Sequence, residues 1–238
     1  MVTTFHQNDA NQLTGESHSG GTLGGLALTN LYNSTLRRTD LALKNSGGST
    51  LASAVFGYDT AGRLSTVGDG TFNATYTYLA NSALISQILL KTNTTTRMTV
   101  TRQYDLLNRL TLINSVGTGS TPSAISAAYD YNDANQRVRV TLHDGSFWVY
   151  EYDRLGQVIS GKKYWSDWTP VPGQQFEYGF DDIGNRTSTK AGGDSAGSGL
   201  RWAGYTNNVL NQLTSRGVPG AVDVLGMANR DATVTVNS

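Results

Sequence analysis

The chain of 238 residues contains no cysteine, which excludes disulfides and thiolate metal sites. Proline occurs only 4 times, and charged residues make up 15% of the chain. The 18 basic and 18 acidic side chains balance to a formal net charge of zero. No basic patch stands out, so the electrostatic footprint of a nucleic-acid binder is missing. No run approaches the ~18 apolar residues of a spanning helix, and no membrane span is expected. The opening MVTTFHQNDA has neither a charged n-region nor an apolar h-region, so no signal peptide is visible. Amphipathic helical runs are scarce too. The nearest, 80–91, has β-branched and hydroxyl-rich flanks that argue for a strand.

What remains is rich in Thr, Ser, Asn and Gly, the last numbering 27. Such a composition suits strands joined by tight turns. At 25.5 kDa and 38% hydrophobic residues, the chain is long enough to bury a sizeable core as one domain or one repeat array.

One pattern recurs along it: aromatic, any, aromatic, Asp or Asn, two residues, Gly or Asn, then Arg or Gln. The clearest copies are FGYDTAGRLS (56–65) and YEYDRLGQVIS (150–160). RQYDLLNRLT (102–111), YDYNDANQRV (129–138) and YGFDDIGNRT (178–187) follow closely. Weaker copies are YTNNVLNQLT (205–214) and FHQNDANQLT (5–14), with degenerate ones at 31–38 and 76–84. Aligned on the Asp/Asn position, the nine copies open at Asn8, Asn33, Asp59, Leu79, Asp105, Asn132, Asp153, Asp181 and Asn208. The gaps between them run from 20 to 28 residues. A period in this range marks a repeat architecture.

The motif has a mechanical reading. Aromatics two apart, such as Tyr150 and Tyr152, share one face of a strand. Asp59, Asp105, Asn132, Asp153, Asp181 or Asn208 then opens a turn, its side chain accepting from the backbone N–H two residues on. Three residues after each opener stand Gly62, Asn108, Asn135, Gly156, Gly184 and Asn211, residues that tolerate the left-handed conformation ending a longer hairpin loop. Asp-Gly pairs in VGDGTF (67–72) and HDGSFW (143–148) signal further hairpins. Nine units give about eighteen short strands, and open twisted sheets rarely exceed about ten without curling. The expected fold is all-β: tandem antiparallel β-hairpins in a curled or spiralling sheet.

The core Tyr58-Asp59-Thr60-Ala61-Gly62-Arg63-Leu64 resembles the signature of YD repeats, found in bacterial RHS proteins and teneurins, and Tyr152-Asp153-Arg154-Leu155-Gly156-Gln157-Val158 resembles it more loosely. The resemblance runs from Phe5 to about Ser215. It implies hairpins joined edge to edge into part of a hollow shell or a small barrel-like closure. In RHS toxins such a shell encloses a cytotoxic segment, and in related toxin complexes a toxic payload. In teneurins a similar barrel serves adhesion, and YD repeats are linked in general terms to carbohydrate binding. The sequence departs from that family in lacking the Asp-Pro-x-Gly core and a distinct toxic C-terminal segment. The expected organisation is a hairpin array over 1–217 and a β or linker extension over 218–238, together a piece of a longer repeat protein.

Outside the motif, KKYWSDWTPVPG (162–173) reads as a loop or irregular strand. Its Tyr164, Trp165 and Trp168 are the candidate ligand- or partner-facing surface. Glycosidases need two carboxylates at defined separation. Of the acids, Asp144 and Asp181 have turn roles, and Glu151 sits between strand aromatics; Glu177 and Asp182 complete the list. His6, His18 and His143 lie in different repeats with no ligand spacing, and no metal or cofactor is expected. The stretch GGDSAGSG (192–199) lacks a nucleophile-loop context and reads as a flexible insertion. The chain therefore reads as a non-enzymatic shell segment around a toxin or other cargo, with an exported carbohydrate-binding or adhesion module as the alternative. Partners would be the rest of its own polypeptide, or another copy through open sheet edges. The family resemblance implies a secreted or cell-surface location.

Overall fold

A computed structural model describes residues 1–119, 124–219 and 233. The chain forms two compact units, Met1–Ile125 and Ser126–Ser238. Among the described residues there are eighteen strands and no helix.

Unit 1 carries β1 (Val2–Gln7), β2 (Leu13–Ser19), β3 (Ala27–Tyr32), β4 (Arg38–Lys44) and β5 (Thr50–Tyr58). It continues with β6 (Leu64–Gly68), β7 (Phe72–Tyr78), β8 (Ile85–Thr92), β9 (Thr95–Tyr104) and β10 (Leu110–Gly117). Each strand pairs antiparallel with the next, from β1–β2 through β9–β10. The segment 80–91, weighed as a helix, supplies most of strand β8. Unit 2 has β11 (Ala124–Tyr131), which begins at the boundary, then β12 (Arg137–Leu142), β13 (Phe147–Tyr152) and β14 (Val158–Tyr164). Its remaining strands are β15 (Pro170–Phe180), β16 (Arg186–Gly192), β17 (Leu200–Asn207) and β18 (Leu213–Arg216). These too pair in chain order. The extension expected over 218–238 lies outside the described residues except for Val218, Pro219 and Thr233.

The turns follow one geometry. The opening residue donates its N–H to the carbonyl four residues on, and its carbonyl accepts from the N–H three residues on, as at Asp59–Arg63 (2.8 Å) and Gly62–Asp59 (2.9 Å). The donor three residues on has a positive φ, +78° at Gly62 and 61° at Asn108. The register then slips just before the opener, between Gly57 and Tyr58 or Glu151 and Tyr152. This is a turn closed by a bulge whose left-handed residue Gly fills at no steric cost.

The same turn also occurs where the motif was not legible. Asn45, Leu142, Trp165 and Asp194 each open one, closed by Gly48, Gly145, Trp168 and Gly197. GGDSAGSG is thus no loose insertion: Asp194 Oδ1 accepts from the N–H groups of Ala196 and Ser198, both at 2.9 Å. The stretch 162–173 is strand end, turn and strand start, and of the two expectations the irregular strand holds, since the β14–β15 register shifts between Lys162 and Tyr164.

Among the described residues there is no sizeable hydrophobic core. Among the described residues the buried hydrophobic side chains are Val140, Phe147 and Ala203. Each unit's sheet rests instead on backbone ladders and cross-strand side-chain pairs, each pair contributing about 0.2–1 kcal/mol.

Candidate functional site

The motif residues build a junction that is repeated from hairpin to hairpin. At the turn, Asp59 Oδ1 accepts from the Arg63 N–H and Oδ2 from Arg63 Nε, both at 2.8 Å. Asp105 does the same with Arg109, and Asp181 with Asn185. Asp153 Oδ1 accepts from the N–H of Leu155 and of Gln157. Where the opener is Asn, the residue four on is often Gln: Asn132 Nδ2 donates to Gln136 and Asn208 Nδ2 to Gln212, while Oδ1 takes the Gln backbone N–H. The reach to the fourth residue was not read from the sequence. It satisfies a second turn N–H and fixes the side chain that touches the next repeat.

Two contacts cross from one hairpin to the next. In the first, the aromatic just before the opener reaches back to the strand that leaves the previous turn. Tyr32 Oη donates to Leu13 O (2.9 Å), Tyr78 to Leu64 O (2.6 Å) and Tyr104 to Ile85 O (2.9 Å). In unit 2, Tyr152 Oη donates to Arg137 O (2.7 Å), and the amide of Asn207 replaces the phenol, donating to Arg186 O (3.1 Å).

In the second, the side chain four residues after the opener lies on the next turn. The Arg37 guanidinium covers Gly62, where any Cβ would overlap it, and stacks 5.5 Å from the Tyr58 ring centroid. Arg63 stacks on Tyr78 at 4.3 Å and donates to Ser82 O. Asn185 Nδ2 reaches Asn211 Oδ1 at 3.1 Å. Glycine thus suits position 62 in two ways: its φ of +78° costs it nothing, and a Cβ there would displace the Arg37 guanidinium.

The register obeys the same rule. The residue seven after one opener lies opposite the residue four before the next: Gly15 and Thr29, Asp40 and Val55, Thr66 and Thr75 in unit 1. In unit 2 the pairs are Arg139 and Val149, Ser160 and Glu177, Ser188 and Gly204. The turn opened by Leu79 is one residue longer, and its pair, Gln87 and Thr101, is displaced by that residue.

The candidate surface at Tyr164, Trp165 and Trp168 forms a corner of unit 2. Tyr164 ends β14 opposite Phe147 of β13, with their rings stacked at 5.6 Å. Trp168 meets Phe147 edge-on at 4.6 Å and Tyr164 at 5.7 Å. Arg139 lies over the same Phe147 ring at 3.9 Å, and its Nε is buried without a hydrogen-bond partner. Trp165 opens the turn through its backbone. Sequence reasoning missed Phe147 and Arg139, because only the strand register brings them there. Trp168 is 58% exposed, which leaves an indole surface for an apolar or planar partner.

The acids weighed for hydrolysis have other work. Glu177 Oε1 accepts from Lys162 Nζ (2.8 Å) and Oε2 from Lys190 Nζ (3.0 Å), across three adjacent strands. The Lys162 bond, then the Lys190 bond, hold its carboxyl below the usual value. A carboxyl held ionised in this way is a poor general acid. Asp144 Oδ1 accepts from the Ser146 hydroxyl (2.6 Å), which lowers its pKa. Among the described residues no group of three or more His, Asp or Glu side chains could hold a metal ion.

The fold defines an all-β hairpin-repeat protein. The family model of the RHS Repeat matches residues 131–165, so the YD/RHS resemblance holds on that stretch. A comparison with curated proteins finds no match. Among solved structures, the chain is similar to a TcdB2-TccC3-Cdc42 crystal structure, with TM-score 0.60 and 14% identity over 90% of this chain and 13% of that one. A TcdB2-TccC3 crystal structure gives 0.58 and 15%, with the same 90% and 13% coverage. The Photorhabdus luminescens Tc holotoxin pore, in a TccC3 variant, gives 0.52 and 16%, covering 90% and 12%. The chain thus spans about an eighth of the chains it matches, and shares their fold over that length.

Proposed function

We propose that the chain is a non-catalytic structural segment of an RHS-type β-shell that encloses a toxin or other cargo. The observation that carries this reading is the junction itself. One register, one tyrosine-to-carbonyl bond and one turn-to-turn contact recur from hairpin to hairpin, and the motif residues are used up in building them. Likeness of fold to chains of Tc toxin complexes supports it. The 1–217 array acts as one wall element, its partner is the remainder of its own polypeptide, and the assembled protein is secreted or surface-located. The test is to express the native reading frame around this chain and digest it with protease. A neighbouring segment that is protected in the intact protein, and cleaved once Tyr58→Ala and Tyr104→Ala break the junctions, supports enclosure. A segment cleaved equally in both rules it out.

The exposed Trp168 favours one second reading, a carbohydrate-binding or adhesion surface at the Tyr164–Trp165–Trp168 corner. If Trp165→Ala and Trp168→Ala leave glycan and cell-surface binding unchanged, that reading fails.

A further inference from the structure

The repeats carry an aromatic ring three residues before the turn opener, as Phe56, Tyr76 and Tyr150 show, and the exceptions among the nine copies are Asn30 and Arg102. Among the described residues of unit 1, the same two hold the buried side-chain atoms that have no hydrogen-bond partner, Asn30 Oδ1 and Arg102 Nε. Where the ring is lost, a polar atom is left stranded. Asn30 is the more buried of the two, with 4% of its surface exposed, and its side chain is far shorter than the ring it replaces.

Tyr150 shows where such a ring goes. It leans across the pairing onto β14, where a Cβ on Gly161, the residue directly opposite, would meet its Cδ1 and Cε1 at 3.5 Å. The residue directly opposite Asn30 is Leu41 of β4. Leu41 lines a recess of about 240 Å³ with Leu28, Leu43, Ala52, Ser53 and Ala54. The register explains the hollow. Leu28 lies opposite Leu43, and Leu43 and Leu41 lie opposite Ala52 and Ala54. Long side chains on β3 and β4 thus step down to short ones on β5, and no ring from position 30 covers the step. An apolar cavity of about 150 Å³ already admits benzene.

We infer that this recess on β3, β4 and β5 binds a monocyclic phenol, with the ring in the place of the missing aromatic and the hydroxyl donating to Asn30 Oδ1. The site selects this class from both sides. A sugar or a charged molecule would leave its polar groups unpaired against Leu28, Leu41 and Leu43, which is costly. A bare hydrocarbon would leave Oδ1 as stranded as before. One ring with one donor satisfies the apolar lining and the buried acceptor together. The site lies wholly within unit 1 and does not depend on the shell reading, which is tested by the interior tyrosine variants.

The test titrates the full chain, isotope-labelled at its leucine methyls, with p-cresol and with toluene, and follows the methyl resonances by NMR. The expected result is a saturable shift of the methyls of Leu28, Leu41 and Leu43 with p-cresol. Asn30→Leu keeps the size of the side chain and removes the acceptor. It should weaken p-cresol by about fivefold, the worth of one net hydrogen bond, without weakening toluene. Asn30→Tyr restores the residue type of the other repeats and should abolish binding of both. Ala54→Phe, which fills the recess from β5, should do the same, and a thermal melt verifies the fold of each variant. The absence of a saturable p-cresol shift in the folded parent chain overturns the inference. So does equal weakening of both ligands by Asn30→Leu, or p-cresol binding that survives a filled recess.

Discussion

The phenol of Tyr58 donates to the carbonyl of Arg38 at 2.8 Å, across 20 residues of sequence and one strand pairing. The bond ties the aromatic that precedes one turn to the strand that leaves the previous one. It gives the motif's tyrosine a role that ring packing alone does not require. Each such bond is worth about 0.5–1.5 kcal/mol net.

Removing the phenol should therefore cost that amount with little change in packing. Tyr104→Phe, which deletes the bond to Ile85 O, should lower stability by about 1 kcal/mol in urea unfolding. Phe180 stands where the other copies carry a donor, and the carbonyl it faces by register is that of Val158, five residues after Asp153. Phe180→Tyr should raise stability by about 0.5–1 kcal/mol. Unchanged unfolding midpoints in both variants would show the bond to be incidental.

Left-handed positions should respond according to what the side chain gains there. Leu36 has φ 62° and is 60% exposed, so its branched side chain is strained with little packing in return. Leu36→Asn should stabilise by about 0.5–1 kcal/mol, since Asn accepts this conformation more readily. Trp168 has φ 69° but packs on Phe147 and Tyr164. Trp168→Asn should destabilise, because two aromatic contacts of about 0.5–1.5 kcal/mol each are lost. Thermal melts of the two variants moving the same way would refute this contrast.

Acid should loosen the turns. Asp59 is held low by the Arg63 backbone N–H, which together with the Arg63 guanidinium outweighs desolvation. At Asp105 partial desolvation is outweighed by bonds from Arg109, and Asp181 is held low by the Asn185 amide. A carboxyl with a depressed folded pKa adds stability that is fully present above its unfolded value, about 3.9, and is lost as pH falls through the folded one. Stability should therefore be level in this respect from pH 7 to about 5 and fall below about 4. Asp59→Asn with Asp105→Asn keeps the Oδ1 acceptor and removes the charge, so the fall should be shallower. An identical acid profile in that double variant would exclude the two aspartates as its source.

The turn openers and the Gly or Asn three residues later were legible because each supplies a local reason for its position. Asp59 brings an acceptor, and Gly62 accepts a positive φ. The turns opened by Leu142 and Trp165 were not legible as copies, since neither opener has a side-chain acceptor. Their acids sit two residues further on instead, where Asp144 takes the Ser146 N–H and Asp167 the Thr169 N–H. The tyrosine bonds were hidden for another reason. They join residues 14 to 20 apart, a separation that depends on each connection's length and becomes constant only in register. Phe147 and Arg139 were invisible as partners of Trp168 on the same ground. Chain length bounds only what can be buried, and the hairpins use little of that capacity: among the described residues the buried hydrophobic side chains are Val140, Phe147 and Ala203.

One register joins the hairpins within each unit, and cysteine pairs across an interior junction of this cysteine-free chain are its decisive test. Asp40→Cys with Val55→Cys places two thiols on residues directly opposite each other on β4 and β5. Asp40→Cys with Ala54→Cys shifts one thiol by a single residue, to the other face of the strand. On air oxidation the first pair should close to an intramolecular disulfide nearly completely, and the second should stay reduced. Closure of the shifted pair to the same extent, or of neither pair in a folded protein, would contradict the shared register and the account built on it.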